Sequence, residues 1–443
     1  MNNYRILLIL ATLFYAIACS NSNEKSFFDG GNGTEANPYQ ISTIEQLQEI
    51  KEKEYLDKHF IQVADIDASP SAELQNGSGF RYIGTREAPF TGSYNGNGYS
   101  INDLHIHFSR FLIHSGLFGY IKNATLENIY VDNRNQIPDK QKWQNHALNI
   151  NQNQKGKELS FFIDVYEMNG AGGLVGFNEG GTIRNCRFNG FVGTQFQPVG
   201  GLVGINTGAI ENSRFQGSSV NIGIAAGLVA INSGQILNST SAGTVSGQAS
   251  AGLVGRNMEG EIIESSTTAI IFSGRLNGGI ATFNSGVIRS SFSRDNRISN
   301  VRGSIGGLVA YNDGEIINSY SITEFNSYFD PDVDFFFGGI VGENLENGSI
   351  QTSFAAGYIL PLEQSILGGL AGKNSGGLMN VYWDTDSTAQ AKAVDQGNPE
   401  GATGLTTVQM TGPAAEQNMP GFDWVNVWRT TPDGYPVLRW EDE

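Results

Sequence analysis

Three aspartates alternate within one short segment of the chain, residues 325–337 (FNSYFDPDVDFFF). On extended backbone Asp330, Asp332 and Asp334 share one face, so their carboxylates could offer oxygen ligands to Ca²⁺. An EF-hand loop is excluded, because no glycine follows Asp334 and Val341 stands where that loop needs glutamate. The alternative is a solvated acidic loop beside a buried phenylalanine strand. Apart from this possible use of Ca²⁺, the sequence predicts no cofactor and no metal site.

Large aromatic side chains accompany charged ones in two stretches that could contact a partner. Trp143 and Tyr166 lie within residues 132–169, and Tyr328 lies beside the three aspartates. Aromatic rings give contact area to sugars or proteins at a low cost in side-chain entropy. We therefore predict a ligand-binding surface made by these three aromatic residues and the three aspartates.

The sequence lacks the motifs of common catalytic centres. It has no His-Glu-x-x-His pair, no Gly-x-Ser-x-Gly turn and no phosphate-binding loop. His105 and His107 share a strand face without an evident third metal ligand. Cys186 has no histidine near it in sequence and occupies a position where related segments have serine, so we expect a buried side chain and not a nucleophile.

The elements that would position these residues come from a repeat. Its fullest copy, from Gly200, reads GGLVGINTGAIENS. Related copies begin at Gly116, Gly173, Gly201, Gly227, Gly252, Gly279, Gly307, Gly339 and Gly369. From Gly173 onward the copies are spaced by 25 to 32 residues, and none shows the spacing of an amphipathic helix. Each copy has room for three short strands and three turns, which predicts one coil of a right-handed parallel β-helix, an all-β solenoid of about nine coils.

Stacking such coils places equivalent residues in ladders about 4.8 Å apart. One ladder should be apolar and buried: Leu174, Leu202, Leu228, Leu253, Ile280, Leu308, Ile340 and Leu370. A second should join asparagine amides from coil to coil: Asn178, Asn206, Asn232, Asn257, Asn284, Asn312, Asn344 and Asn374. The glycine after most of these asparagines is predicted to supply positive φ at a turn: Gly180, Gly208, Gly234, Gly286, Gly314 and Gly376.

The phrase GGLVGxNxGxIxNS resembles the GLUG motif, which occurs in bacterial surface and secreted proteins, including adhesins and the non-catalytic parts of IgA-specific metallopeptidases. The resemblance extends from Gly116 to about Trp383. It implies a repeat fold more than an activity, because a structural repeat defines the family. A non-catalytic surface module for binding or adhesion is therefore the leading interpretation. The alternative is a polysaccharide lyase or glycoside hydrolase, since many parallel β-helices cleave polysaccharides with paired carboxylates.

The first residues of the chain predict a location at the cell envelope. Arg5 precedes a short apolar run, and Ala18 followed by Cys19 resembles a bacterial lipobox. Lipidation of Cys19 would make an outer membrane lipoprotein, since Ser20 follows and not aspartate. An ordinary secretory signal with an incidental cysteine is the alternative.

Charge limits the classes of partner. The formal net charge is −17, so the basic footprint of a nucleic-acid-binding protein is missing. We expect a glycan or an extracellular protein as partner, besides the outer membrane itself. The predicted domains are a lipoprotein signal peptide (1–18), a polar tether (19–26), an N-terminal capping region (27–107), the repeat β-helix (108–383) and a C-terminal cap (384–443).

Overall fold

The computed structural model is a parallel β-solenoid built from three long sheets. It describes residues 27–106, 114–136, 169–195, 197–326, 336–360 and 366–442. Strands of successive coils pair in parallel and in register, for example Val175 with Val203, Ile183 with Ile210 and Phe188 with Phe215. The predicted all-β solenoid of stacked parallel coils is therefore confirmed. Its right-handed sense stays a prediction from the handedness rule for parallel crossovers.

The Asn sheet contains one strand from each of the nine repeat copies and a tenth strand beyond them. Its strands are Phe118–Lys122, Val175–Glu179, Val203–Asn206, Val229–Asn232, Val254–Asn257, Ala281–Asn284, Val309–Asn312, Val341–Asn344, Ala371–Asn374 and Val394–Gly397. An Asn-x-Gly turn or a longer variant follows most strands and leads into the next sheet.

The Ile sheet has 12 strands of three or four residues, whose inward central residue is most often isoleucine. Its strands are Tyr39–Ile41, His59–Gln62, Ser93–Asn95, Thr125–Glu127, Thr182–Arg184, Ala209–Glu211, Gln235–Leu237, Glu261–Ile263, Val287–Arg289, Glu315–Ile317, Ser349–Gln351 and Gly377–Met379. This ladder begins at Tyr39, well before the predicted start of the β-helix at 108. The difference arises because Phe60 and Tyr94 fill the inward position that leucine or isoleucine fills later, so the entry segment stacks without the repeat motif.

The broad sheet has 20 strands, because most coils cross it in two segments. Its strands are Ile66–Asp67, Ser100–Asn102, His114–Ser115, Tyr130–Asp132, Gly170–Gly172, Arg187–Thr194, Val199–Gly200, Arg214–Asn221, Ile224–Ala226, Thr240–Ser246, Ala249–Ala251, Ser266–Thr267, Ile270–Gly278, Phe292–Gly306, Tyr320–Asn326, Phe336–Gly338, Phe354–Ala356, Ile366–Gly368, Val381–Asp384 and Ala402–Leu405. Two of these strands, Ile270–Gly278 and Phe292–Gly306, contain register shifts at β-bulges.

The predicted apolar ladder is confirmed: all eight side chains from Leu174 to Leu370 are fully buried. The predicted asparagine ladder is confirmed as well. In seven successive pairs from Asn178 to Asn374, Nδ2 of one asparagine donates to Oδ1 of the next at 2.8 Å. Most of these amides also donate to a carbonyl oxygen within their own turn, as Asn257 does to Gly260 at 2.8 Å. The ladder therefore satisfies buried amides that would each cost free energy if left unpaired.

A serine ladder runs along the opposite corner of the Ile sheet. The backbone N–H of each member donates to the serine hydroxyl oxygen of the next coil, as Ser213 N–H does to Ser239 Oγ at 3.1 Å. The series continues through Ser265, Ser291, Ser319 and Ser353, each with the same geometry.

Most of the six turn glycines do not have the positive φ that was predicted for them. Of the six, only Gly180 has positive φ. At Gly208 and Gly234 a Cβ atom would lie 2.1 and 2.0 Å from the carbonyl oxygen of the preceding glycine in the stack, so the requirement is for close coil-to-coil contact. Positive φ occurs instead at the corner before the serine ladder, mostly at asparagines such as Asn212 and Asn238.

Residues on both sides of the first strand, Tyr39–Ile41, lie over the first coil. A helix spans Ile44–Glu49, and Thr43 and Gln46 form a capping box at its start. The helix ends there because residues after Ile50 form turns. Residues 29 and 30 pair antiparallel with Gln40, which covers the edge of the Ile sheet.

The C-terminal segment does not simply sit on the last coil. Its elements are the helices Thr407–Met410 and Ala414–Asn418 and the antiparallel pair Trp428–Arg429 and Val437–Leu438. They pack against a row of outward aromatic rings from four successive coils: Phe292, Tyr320, Phe354 and Tyr382. The cap therefore lies along the flank of four coils, since these rings are the apolar surface available to it.

We expect Asn257→Ala, in the middle of the amide ladder, to lower the free energy of unfolding by about 3 kcal/mol or more. The change leaves the buried Nδ2 of Asn232 without its acceptor and Oδ1 of Asn284 without its donor. Chemical denaturation measures the effect. Gln235→Ala is the control, since Gln235 makes one side-chain bond at the surface, to Glu261. Equal stability of the two variants would contradict a structural role for the ladder.

Candidate binding surface

The link between the two segments of the broad sheet differs from coil to coil, and we call it the variable turn. In the coil of Arg187–Thr194 and Val199–Gly200 it is four residues long, 195–198. In the next coil it is two residues, 222 and 223. Strands before the turn pair with each other across coils, and strands after it do the same. All variable turns therefore leave and rejoin the solenoid on one side.

The two stretches predicted to contact a partner are both insertions at the variable turn. Residues 133–169 follow Tyr130–Asp132, which pairs with the strand before the turn in the next coil, and precede Gly170–Gly172, which pairs with the strand after it. Residues 327–335 likewise connect a strand before the turn, Tyr320–Asn326, to a strand after it, Phe336–Gly338. The structure thus brings the ends of both insertions to the same side, several coils apart.

The predicted contact residues themselves fall on segments outside the described residues. These are Trp143, Tyr166, Tyr328, Asp330, Asp332 and Asp334, and the predicted lipidation site Cys19 is outside them too. Their roles therefore stay predictions, as does the possible use of Ca²⁺.

The base of the acidic insertion is a small apolar cluster. Phe325 and Phe337, the residues that flank it, are both buried. They pack with Ile298, Ile305 and Ile359 in a core separate from that of the coil interior. The buried phenylalanine strand expected beside the acidic segment is therefore present at both of its ends.

A hydrogen-bond clamp closes the short variable turn at residues 195–198. Asn221 Nδ2 donates to the carbonyl oxygens of Thr194 and Gln197 at 2.7 and 2.6 Å. Asn221 Oδ1 accepts from the backbone N–H of Gly223 at 2.6 Å. One side chain therefore fixes two neighbouring turns.

His114 lies in the broad-sheet strand His114–Ser115. It pairs with Gly170, which follows the first insertion. Its ring contacts Tyr120 and Phe177 with centroids 5.3 and 5.1 Å apart. Both ring nitrogens are buried, and neither has a hydrogen-bond partner among the described residues. Burial lowers the pKa of His114 to about 4, with a smaller contribution from the charge of Arg86. The imidazole is therefore neutral at pH 7.

A buried carboxylate in the C-terminal cap was not found by sequence reasoning. Asp384 Oδ1 accepts from the backbone N–H groups of Asp386 and Ser387, at 2.8 and 3.0 Å. Asp384 Oδ2 accepts from Thr407 Oγ1 and Tyr435 Oη, both at 2.6 Å. Burial and the bond to Asp384 raise the pKa of Tyr435 to about 12. Four donors saturate this carboxylate, so it joins the cap to the last repeat coil. The signal was Asp384 itself, an acidic residue directly after the buried strand Val381-Tyr-Trp.

Cys186 begins the serine ladder and is buried as predicted. Its backbone N–H donates to Ser213 Oγ at 3.1 Å. Burial raises the pKa of its thiol to about 12, which keeps the sulfur protonated and a poor nucleophile.

Within residues 27–442, apart from the gaps given above, no group of three or more histidine, cysteine or acidic side chains is arranged to hold a metal ion. No helix in that part of the chain has the length and apolar character needed to cross a membrane.

The fold is thus a parallel β-solenoid whose coils differ in length mainly at the variable turn. The family model described as the GLUG motif matches residues 169–193, which cover the strand Gly170–Gly172 and most of the following coil. The structure places the other repeat copies in register with this one, so they form equivalent coils.

Two curated relatives match parts of the chain. Halomucin of Haloquadratum walsbyi is 36% identical over 103 residues, which are 22% of this chain and 1% of that protein. A Gly-rich membrane protein of Evansella cellulosilytica is 33% identical over 127 residues, 28% of this chain and 14% of that protein. The chain therefore spans only a small part of the length of either relative.

Among solved structures, a protein described as an immunoglobulin A1 protease from Bacteroides ovatus aligns over 94% of this chain and 96% of its own. The identity is 16% and the TM-score is 0.36, values too low to support an argument about this chain.

The buried His114 predicts an acid-dependent stability. Its pKa is depressed in the folded state, so the unfolded state binds a proton more tightly between pH 6.5 and about 4. Stability should therefore fall as the pH drops through this window, by about 3 kcal/mol in all from this residue. His114→Phe should flatten the dependence measured by urea denaturation at pH 7, 5.5 and 4. His59→Gln, at a half-buried histidine bonded to Ser93, is the control. Parallel curves for wild type and His114→Phe would show that the imidazole is solvated.

Proposed function

We propose that the protein is a non-catalytic module, anchored at the cell surface, that presents its variable turns to a glycan or protein partner. The observation that carries this proposal is that both insertions leave the solenoid at the same turn of their coils. The rest of each coil is committed to stacking. Variation is therefore tolerated on one side, where a partner can meet it.

The state of the reactive side chains supports a binding role over a catalytic one. The ladder asparagines and serines are used in coil-to-coil hydrogen bonds. Asp384 is saturated by four donors, and the Cys186 thiol is buried with a raised pKa. These groups have structural partners and no free reactive atom. The aromatic and acidic residues predicted in the two insertions would then supply contact area and charge to the partner.

A location at the cell envelope is supported by two independent features. The segment before Cys19 resembles a lipobox, and one relative is described as a Gly-rich membrane protein. A lipid on Cys19 would attach the solenoid to the outer membrane through the polar residues that follow. The attached rod would hold its variable turns away from the bilayer.

Replacing residues 137–168 by a short Gly-Ser linker should leave the fold intact and weaken partner binding at least tenfold. The ligand comes from a screen of the soluble chain against glycans and extracellular proteins, with and without Ca²⁺. A second variant replaces Tyr328 by alanine and Asp330, Asp332 and Asp334 by asparagine. The control removes Glu346 and Asn347, which lengthen a turn on another corner. Unchanged binding by both variants would exclude the variable turns. Turnover of a glycan by the purified chain would place the protein among the enzymes.

Attachment is tested with the two cysteines. Cys19→Ala should release the protein from the membrane fraction, because the only proposed acyl acceptor is removed. Cys186→Ala, at the buried position, should leave attachment unchanged and is the matched control. Cell fractionation and mass spectrometry of the mature N-terminus provide the readouts. A membrane-bound Cys19→Ala variant, with no acyl group on the wild type, would contradict the anchor.

A further inference from the structure

Two arginines stand side by side on the outward face of the broad sheet. Arg187 and Arg214 are register partners in adjacent coils, and both are exposed. Arg187 lies over the ring of Tyr130 at 5.3 Å, and Arg214 Nη2 donates to Gln216 Oε1 at 3.5 Å. Within the described residues, neither guanidinium forms an ion pair with a carboxylate, although the chain has 44 acidic residues against 27 lysines and arginines.

The two adjacent positive charges repel each other, and an anionic ligand would remove this repulsion. Like charges directly opposite each other on neighbouring strands destabilise a sheet. Asp132, in the coil before that of Arg187, does not relieve the repulsion, because it is paired with Arg134. Two neighbouring guanidinium groups with free donors match an anionic group that accepts several hydrogen bonds, such as a carboxylate or sulfate.

The surface beyond the arginines suits a sugar polymer. The row of Arg214 continues with the half-buried Thr240 and the buried Ser266, and Gln216 lies exposed beside it. Three coils beyond Arg214, a distance of about 14 Å, lies Phe292, where the C-terminal cap begins. Trp440 is the cap residue at this boundary. Its half-buried ring stacks on Phe292 at 5.6 Å and its Nε1 donates to the Ser290 carbonyl oxygen at 2.8 Å.

We infer that this face, from Arg187 to Trp440, binds an acidic polysaccharide along the axis of the solenoid. The arginines hold its anionic groups, the amide and hydroxyl side chains contact sugar hydroxyls, and the indole packs on a sugar ring. The inference rests on the proposed binding role and names the class of partner. The net charge of −17 does not prevent it, because at 0.15 M salt charges beyond about 8 Å are largely screened. Nucleic acid fits less well, since two arginines are a small footprint for a dense phosphate backbone.

The test uses the full-length chain in detergent at 0.15 M salt, with heparin as the sulfated probe and polygalacturonate as the carboxylated probe. Dextran and a DNA duplex are the neutral and nucleic-acid comparisons. We expect binding to at least one acidic polysaccharide. Arg187→Gln with Arg214→Gln should weaken it about a hundredfold, about tenfold for each charged hydrogen-bonding group. Arg289→Gln, an exposed arginine on the Ile sheet, should leave affinity unchanged. Trp440→Ala should weaken binding, and circular dichroism checks that each variant is folded.

Retained affinity in the double arginine variant would overturn the inference, as would tighter binding of DNA or dextran than of either acidic polysaccharide. Absence of binding to both acidic probes would also overturn it. If the screen then finds a partner that depends on residues 137–168, the proposed function stands while this inference fails. If the screen finds no partner at all, the proposed function fails.

Discussion

The asparagine amide ladder is the interaction on which the rest of this structure depends. It is buried and continuous over eight side chains, and each amide can be satisfied only if the next coil is in register. A shift by one residue would place amides against apolar side chains and leave them unpaired at a cost of about 1–3 kcal/mol each. The apolar ladder alone would tolerate such a slip more easily, because hydrophobic contact is not directional. The polar ladder therefore sets the register, and the leucine and isoleucine rows supply most of the burial.

A fixed register explains how function can vary without loss of the fold. From Gly173 onward, most repeat coils are held at the Asn corner, at the serine corner and along the inward rows. The link inside the broad sheet carries none of these ladders, so its length can change. Two coils cross the sheet as one continuous strand, Ile270–Gly278 and Phe292–Gly306, whereas another has a link of several tens of residues. Where the link is short, a clamp such as Asn221 closes it. Where it is long, an apolar base such as the pair Phe325 and Phe337 anchors it.

The repeat made much of the fold predictable, because a period of about 27 residues shows which positions must stack. It identified the leucine row, the asparagine row and the buried state of Cys186. It did not reveal why the turn glycines are needed, since close approach of two backbones is a property of the stack and not of one turn. The start of the solenoid was placed too late, because Phe60 and Tyr94 fill the core without the motif.

The path of the cap was missed, although the outward aromatic residues from Phe292 to Tyr382 recur at the repeat spacing and signal a covered face. The arginine pair was missed for a similar reason: Arg187 and Arg214 follow equivalent ladder positions, but only the register shows that they adjoin.

The ladder can be observed directly by hydrogen exchange of side-chain amides in protein labelled selectively at asparagine. The account predicts a set of Nδ2 protons, from Asn178 to Asn344, that exchange as slowly as the backbone amides of the Asn sheet, because each is bonded and buried. Exposed asparagines such as Asn212 and Asn398 should exchange at rates close to those of a free amide. If the ladder asparagines exchange at those same rates, the coils are not joined through their amides and the account is contradicted.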